Sequence, residues 1–367
     1  MPKRYPEPGR HESPPGEAQS SPMKRELLRW YRAHRRDLPW RATRDPYAVW
    51  VSEIMLQQTR VDTVRPYYER FLGEWPTVEA LAAADPERVR ARWSGLGYYR
   101  RAALMLRAAG VVTQEHGGRF PDQVEGLAAL PGFGAYTAGA VASIAFDRPA
   151  PAVDGNVIRV LSRIALIEGD TSRGSGRAAV EALATELAQA APADPQTHDP
   201  GDFTQALMEL GALICTPKKP RCEDCPVRAS CRARAEGRED EIPPPRARPK
   251  KTAVKMTGVL VRRGEHVLLG QREQGGLFAE LWVVPLFEGT LGRERLRTAM
   301  KERHGVALLK LAATRTIKHV LTHREIEVSM WTAVLSAAAK PKGLRFVSAA
   351  QLAELGLPAF TRRALET

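Results

Sequence analysis

The stretch "LPGFGAYTAGAV", Leu130 to Val141, places Gly132, Gly134 and Gly139 within eight positions and sets Tyr136 just past the barest part. "VEGLAAL" before it and "AYTAGAVASIAF" after it both read as helices. "PGFG" is then a tight turn between two helices, and its glycines remove the Cβ atoms that would block another backbone. Amides near Gly132 and Gly134, at the start of the second helix, face an anion with the helix dipole behind them, and a DNA phosphate is a natural occupant. Plain helix packing uses the same kind of turn, and the stretch alone leaves both readings open.

Working outward, the chain has 367 residues, 43% of them hydrophobic, with a formal net charge of +13. That length suits about two domains with globular cores. The charge favours a polyanionic partner, nucleic acid being the commonest, and sets no fold. No apolar run approaches the ~18 residues of a membrane span, and residues 1–21 lack the hydrophobic segment of a secretory signal. The chain therefore reads as cytoplasmic, without a membrane partner.

Residues 1–21, rich in Pro, Ser, Gly and charge, are expected to form a disordered tail. From 22 to 238 the pattern is helical, with "DPERVRARW", "RAALMLRAAGVV" and "GRAAVEALATELAQA" repeating apolar residues at three- and four-residue spacing. "EDEIPPPRARPKK" holds four prolines and four basic residues and marks a linker over 239–252. Beyond it, "AVKMTGVLVRRGEHVLLGQR", "LWVVPLFEG" and "EIEVSMWTAVL" have the texture of strands, with "RERLRTAMKERHG" as a helix among them. An α+β domain is expected over 253–367.

All four cysteines, Cys215, Cys222, Cys225 and Cys231, lie in "CTPKKPRCEDCPVRASC", with six, two and five residues between them. Thiols in a reducing compartment stay free, so convergence on a metal is favoured over disulfides. Zinc and an iron–sulfur cluster both accept four thiolates, and spacing does not separate them. Lys218, Lys219 and Arg221 in the same loop either meet phosphate or are simply solvated.

Two acids stand out. Glu53 lies on the helix opened by Asp45 and Pro46, with Val49, Trp50, Leu56 and Gln57 three or four residues away. On so apolar a face a carboxyl keeps its proton, as a general acid requires. Asp154, in "APAVDGNVIRVLSRI", falls near a helix N-cap, where amides and the dipole favour the charged form. A protonated donor paired with an ionised carboxylate is the arrangement that cleaves glycosidic bonds. Structural N-caps and interface glutamates are common too, so the acids alone settle nothing.

Taken together, "LPGFGAYTAGAV", "AVDGNVIRVLSR", "VSEIMLQQTRV", "SGLGYYRRA" and the cysteine array resemble the helix-hairpin-helix DNA glycosylases with a [4Fe-4S] cluster, most closely those of MutY type. "GQREQGGLFAELWVVP" and the strands after it resemble the Nudix-like C-terminal domain of that family. The resemblance implies a mainly α helix-hairpin-helix glycosylase domain followed by an α+β Nudix-like domain. It implies one [4Fe-4S] cluster on the four cysteines, and a monomeric, monofunctional enzyme that removes adenine opposite 8-oxoguanine or guanine in duplex DNA. Glu53 becomes the acid that protonates adenine at N7 and later activates water. Asp154 becomes the carboxylate facing the oxocarbenium sugar, with Asn156 and Tyr136 completing the catalytic group. By the same resemblance Arg36, Trp40, Arg41, Leu56 and Gln205 line the adenine pocket. Gln58, Thr59, Leu96, Gly97 and Tyr98 meet the duplex near the lesion, Gly132 and Gly134 meet a phosphate, and Leu321, Thr322 and His323 read 8-oxoguanine.

Two departures matter. Where the family commonly has Phe-Ser-His, this chain has Leu321-Thr322-His323, which keeps a hydroxyl and loses the aromatic ring. In "TAMKERHGV" only Glu302 remains where Nudix hydrolysis needs a group of acids for Mg²⁺, with Ala299 and Arg303 in their place, so diphosphate hydrolysis is not expected. A bifunctional glycosylase of endonuclease III type competes with the leading reading and would need a lysine where Tyr136 stands. A non-enzymatic zinc-dependent DNA-binding protein is the third reading, with the acids incidental.

Overall fold

The computed structural model describes residues 17–190, 200–245, 250–336 and 339–366. Contacts divide the described chain into two compact units, and each unit draws on separate stretches of sequence. The first takes in the chain up to Gln57 and then from Glu115 through the proline-rich segment; the second takes in Gln58–Gln114 and everything from Lys250 onward.

The helices are α1 (Glu17–His34), α2 (Pro46–Leu56), α3 (Val61–Glu74), α4 (Val78–Ala82), α5 (Pro86–Arg92), α6 (Arg100–Glu115), α7 (Val124–Ala128), α8 (Ala135–Phe146), α9 (Gly155–Ala165), α10 (Gly174–Gln189), α11 (Pro200–Leu213) and α12 (Arg232–Ala235). The tail expected over 1–21 lies outside the described residues as far as 16, and its last five residues belong to α1. In the first unit, the Asp45 carboxylate caps α2 by accepting from the Tyr47 and Ala48 amides, with Pro46 at the first position. Asp154 caps α9 by accepting from the Val157 amide. Each such cap stabilises its helix by about 1 kcal/mol. One face of α9 supplies Val157, Ile158, Val160, Leu161 and Ile164 to a core shared with Leu27 and Tyr31 of α1, Leu183 and Leu187 of α10, and Phe203 and Leu210 of α11.

The hairpin of α7 and α8 turns through Gly132, at φ +81°, and α8 starts after Gly134. Gly139 then lets α8 touch the backbone of the segment leading into α9, since a Cβ there would lie 2.0 Å from the Pro151 carbonyl oxygen. This contact sets where the chain stands when it reaches Asp154. The start of the expected linker is held as well: Ile242 is buried, and its carbonyl accepts from Arg163 Nε at 2.8 Å. Residues 246–249 of that linker lie outside the described set.

In the second unit, β1 (Thr252–Arg263), β2 (His266–Gln271), β3 (Trp282–Val283), β4 (Leu286–Glu288), β5 (Leu308–Val320), β6 (Arg324–Leu335) and β7 (Arg345–Val347) form one mixed sheet. Its order is β3-β2-β1-β6-β5, with β4 on β1 and β7 on β2. β1 and β6 run parallel, with Thr252 opposite Arg324 and Val261 opposite Ala333. Helices α13 (Arg293–His304), α14 (Ala349–Leu352) and α15 (Ala359–Leu365) accompany it. The quoted strand and helix segments thus match β1 to β4, β6 and α13. β5 and β7 are the strands that sequence reading passed over: register shifts at Leu309/Ala312 and Ala313/Thr316 break the alternation of β5, and β7 is only three residues long.

Helices α3 to α6 share this unit. Ser94, buried after α5, donates its hydroxyl to the Leu357 carbonyl at 2.8 Å and accepts from Arg362 at 2.7 Å and the Leu357 amide at 3.2 Å. Tyr99 reaches the same Leu357 carbonyl at 2.8 Å.

Gly139→Ala tests the backbone contact that leads to Asp154. Its added methyl has only a carbonyl to meet, so the variant should lose about 1–3 kcal/mol of stability, read as a lowered denaturation midpoint.

Candidate active site and thiol cavity

Glu53 is carried on α2 among Tyr47, Val49, Trp50, Val51 and Ile54, all buried, and is itself only 6% exposed. Trp50 behind it stacks on Phe133 at 5.5 Å and meets Phe120 edge-on at 5.5 Å. Burial pushes the Glu53 carboxyl up to about 7, helped by the nearby Asp154 charge and opposed by Tyr136 and Arg41. Tyr136, on the first turn of α8, donates its hydroxyl to Glu53 Oε2 at 2.5 Å. The phenol is held well above its usual range by burial and by the Glu53 and Asp154 charges, so it stays a donor. The resemblance placed Tyr136 in the catalytic group without naming its partner; in the fold its hydroxyl belongs to Glu53.

Asp154 departs from its expected electrostatics. Its carboxylate accepts from the Val157 amide at 2.7 Å and from Asn156 Nδ2 at 2.8 Å, and both contacts favour the charge. Burial outweighs them, however, and its pKa is raised, not lowered. The two acids are thus not driven apart in opposite directions; both shift upward, for the same reason.

Arg36 and Arg41 converge on Glu209 of α11, a residue that sequence reading missed. Glu209 accepts from Arg36 Nε at 2.9 Å and Nη2 at 2.6 Å, and from Arg41 Nη1 at 3.0 Å and Nη2 at 2.8 Å. Burial alone would raise its pKa, but these contacts hold it down at about 2. The available signal was an acid one turn after Gln205, in the apolar second half of α11. Arg41 also lies over the Tyr31 ring at 5.4 Å. Trp40 is buried in the short turn Pro39–Arg41, and Leu56 and Gln205 are half-buried at the end of α2 and on α11.

The remaining predicted contacts belong to the second unit. Gln58 and Tyr98 have φ of +61° and +47°, and Gly97 has +72°. Leu96 is buried and Thr59 half-buried, whereas Tyr98 is 50% exposed. The Tyr98 and Thr322 hydroxyls hydrogen-bond at 2.7 Å. Leu321 packs on the core of the sheet, and His323 is exposed.

At the C-terminal part of α9, Cys215, Cys222, Cys225 and Cys231 line one cavity with Arg163, Arg234 and Glu239, and all four thiols are free. Arg163 donates to Cys215 Sγ at 3.3 Å and to the Thr216 carbonyl at 2.8 Å. Burial, with repulsion from the other thiolates, pushes Cys225 up to about 12. Among the described residues no group of three or more His, Cys, Asp or Glu is placed so as to hold a metal ion. Arg159 joins the two ends of α9: it donates to Asn156 Oδ1 at 2.8 Å, to the Gly211 carbonyl at 2.7 Å and to the Cys215 carbonyl at 2.6 Å.

Comparison with known proteins identifies the family. Residues 51–187 match the model of the HhH-GPD superfamily base excision DNA repair proteins, and residues 256–367 match that of the NUDIX domain. The chain is 48% identical over 233 residues to the rat adenine DNA glycosylase, covering 60% of this chain and 44% of that protein. It thus spans less than half the length of that relative. Two Buchnera aphidicola adenine DNA glycosylases align more fully. The Acyrthosiphon pisum form is 33% identical, covering 71% of this chain and 73% of that one, and the Baizongia pistaciae form is 30% identical, covering 83% of each. Among solved structures, a thermostable thymine-DNA glycosylase superposes with a TM-score of 0.52 at 30% identity, covering 60% of this chain and 98% of that one. An endonuclease III–DNA complex does so with a TM-score of 0.50 at 22% identity, which speaks for the fold. With two domain matches in this order and relatives aligned over most of their length, the chain belongs to the adenine DNA glycosylase family.

Proposed function

We propose that this protein removes adenine mispaired with 8-oxoguanine or guanine from duplex DNA and leaves the abasic strand intact. In this reading residues 22–238 carry the chemistry and 253–367 read the opposite base. The observation that carries it is the buried Glu53 carboxyl, pushed up to about 7 by desolvation and held in place by the Tyr136 hydroxyl, beside the capping carboxylate Asp154.

Neither acid can reach a stacked nucleotide, so the adenine is flipped out first. Glu53 gives its proton to adenine N7 as the bond to the sugar C1′ breaks and the electron pair leaves with the base. Asp154 places negative charge where the sugar becomes cationic. Water then adds to C1′, and Glu53 takes back the proton it releases. The Asn156 and Val157 contacts hold the Asp154 carboxylate in one orientation. The Glu209 ion pairs fix Arg36 and Arg41 as a rigid wall for a flat polar base. Tyr136 offers no amine for a Schiff base, so β-elimination of the strand has no nucleophile at this position.

The four cysteines would hold one [4Fe-4S] cluster. The four thiols line one cavity, and four thiolates are the donor set such a cluster takes. Bound there, the cluster would offset the thiolate charges and tie the segment after α11 to the start of α12.

Glu53→Gln should cut single-turnover adenine release by at least about 100-fold while duplex affinity is kept; substantial residual turnover would place the acid elsewhere. Wild-type release should fall as pH rises through about 7, where Glu53 loses its proton. Because this pKa is raised on folding, the wild type is penalised as pH climbs from the unfolded value of 4.5 to about 7. Glu53→Gln should then be more stable than wild type at pH 8 by about 3 kcal/mol, a gain that vanishes at pH 4. Thr322→Ala should lower the preference for 8-oxoguanine over guanine opposite adenine by about tenfold, with release opposite guanine little changed. Cys222→Ser should lose the visible absorption of an iron–sulfur cluster; a colourless, zinc-loaded and fully active native protein would exclude the cluster.

A further inference from the structure

The structure assigns Arg101 the task of holding Tyr98 erect for insertion into the duplex, an inference that rests on the duplex-facing reading of Tyr98. The turn between α5 and α6 is backbone that a tyrosine resists: Gly95, Gly97 and Tyr98 have φ of +115°, +72° and +47°. A non-glycine residue in this region costs about 1–3 kcal/mol and persists only where its surroundings over-determine it. On one side the turn is closed by Tyr67, whose hydroxyl donates to the Ser94 carbonyl at 2.9 Å and would lie 2.2 Å from any Cβ at Gly95.

On the other side stands Arg101. Its Nη2 donates to the carbonyls of Leu96 and Gly97, each at 3.2 Å, while its backbone amide donates to the Tyr98 carbonyl at 2.8 Å. The guanidinium lies 5.3 Å from the ring centre of the fully buried Trp93 and 5.4 Å from that of Tyr98. Trp93 Nε1 donates to the same Gly97 carbonyl at 3.0 Å. Arg101 Nη2 also reaches Thr59 Oγ1 at 3.5 Å, beside Gln58 in its own left-handed conformation. One planar fork therefore links the core to both short segments expected at the lesion. A lysine keeps the charge but cannot stack and bind two carbonyls at once. Tyr98, 50% exposed, thus stands ordered before DNA arrives, and binding need not supply that order.

The test uses the full-length protein with Arg101→Lys, Arg101→Met, Tyr98→Ala and the double variant Arg101→Met/Tyr98→Ala. The duplexes carry adenine opposite 8-oxoguanine or guanine, with 2-aminopurine beside the opposite base to report unstacking. Both Arg101 variants should lose most of the 2-aminopurine signal and about tenfold of the 8-oxoguanine preference, and the double variant should be no worse than Tyr98→Ala alone. The dependence of duplex affinity on salt should be unchanged in Arg101→Lys, since no phosphate contact is involved. Wild-type signal and preference in Arg101→Lys would overturn the proposal by showing that charge suffices. Full additivity of Arg101→Met with Tyr98→Ala would overturn it by showing that Arg101 acts apart from Tyr98. A wild-type 2-aminopurine signal in Tyr98→Ala would instead sink the duplex-facing reading of Tyr98, and this inference with it.

Discussion

A carboxylate taken out of water must keep its proton or be given cations, and the first unit of this protein does both. Glu53 is enclosed by apolar and aromatic side chains, and this desolvation outweighs its bond to the Tyr136 phenol, so its pKa rests at about 7. Glu209, on a neighbouring helix, receives two guanidinium forks and stays ionised down to about pH 2. Asp154 lies between these extremes, with two hydrogen bonds against a larger desolvation penalty. Partners and burial, not residue type, set the three acids apart.

Helix α9 gives this sorting its geometry. Its N-cap is Asp154, and its far end reaches the cavity lined by the four cysteines. The Gly139–Pro151 contact sets the approach to the cap, and Arg159 and Arg163 tie the body of the helix to carbonyls of the thiol loop. A change in how that loop is held would be felt at Asn156, which shares Arg159 with Cys215 and its amide with Asp154. The loop therefore bears on the carboxylate through two side chains and one helix.

The second unit joins chain segments that lie far apart in sequence. Ser94 and Tyr99 bond the turn after α5 to Leu357 and Arg362, and Tyr98 meets Thr322. Cutting the chain at the linker would strip these partners from residues 58–114 as well as remove the sheet. Point substitutions at Thr322 and Arg101 would leave the other contacts of the unit in place, as truncation would not.

The sequence alone carried the features that depend on local physics. Glycines at Gly132 and Gly134 marked the hairpin, because only a bare backbone turns that tightly between helices. Asp45 and Asp154 marked helix starts, the cysteine spacing marked a shared thiol site, and β-branched runs marked β1, β2 and β6. Glu53 was legible as an acid on an apolar helix. Tertiary structure decided whatever depends on distant partners: that Tyr136 bonds Glu53 and not Asp154, that Glu209 gathers Arg36 and Arg41, and that residues 58–114 group with the sheet. It also decided the direction of the Asp154 shift. Capping amides are encoded within three residues and can be read from sequence, whereas desolvation comes from packing by remote segments, and at Asp154 desolvation is the larger effect.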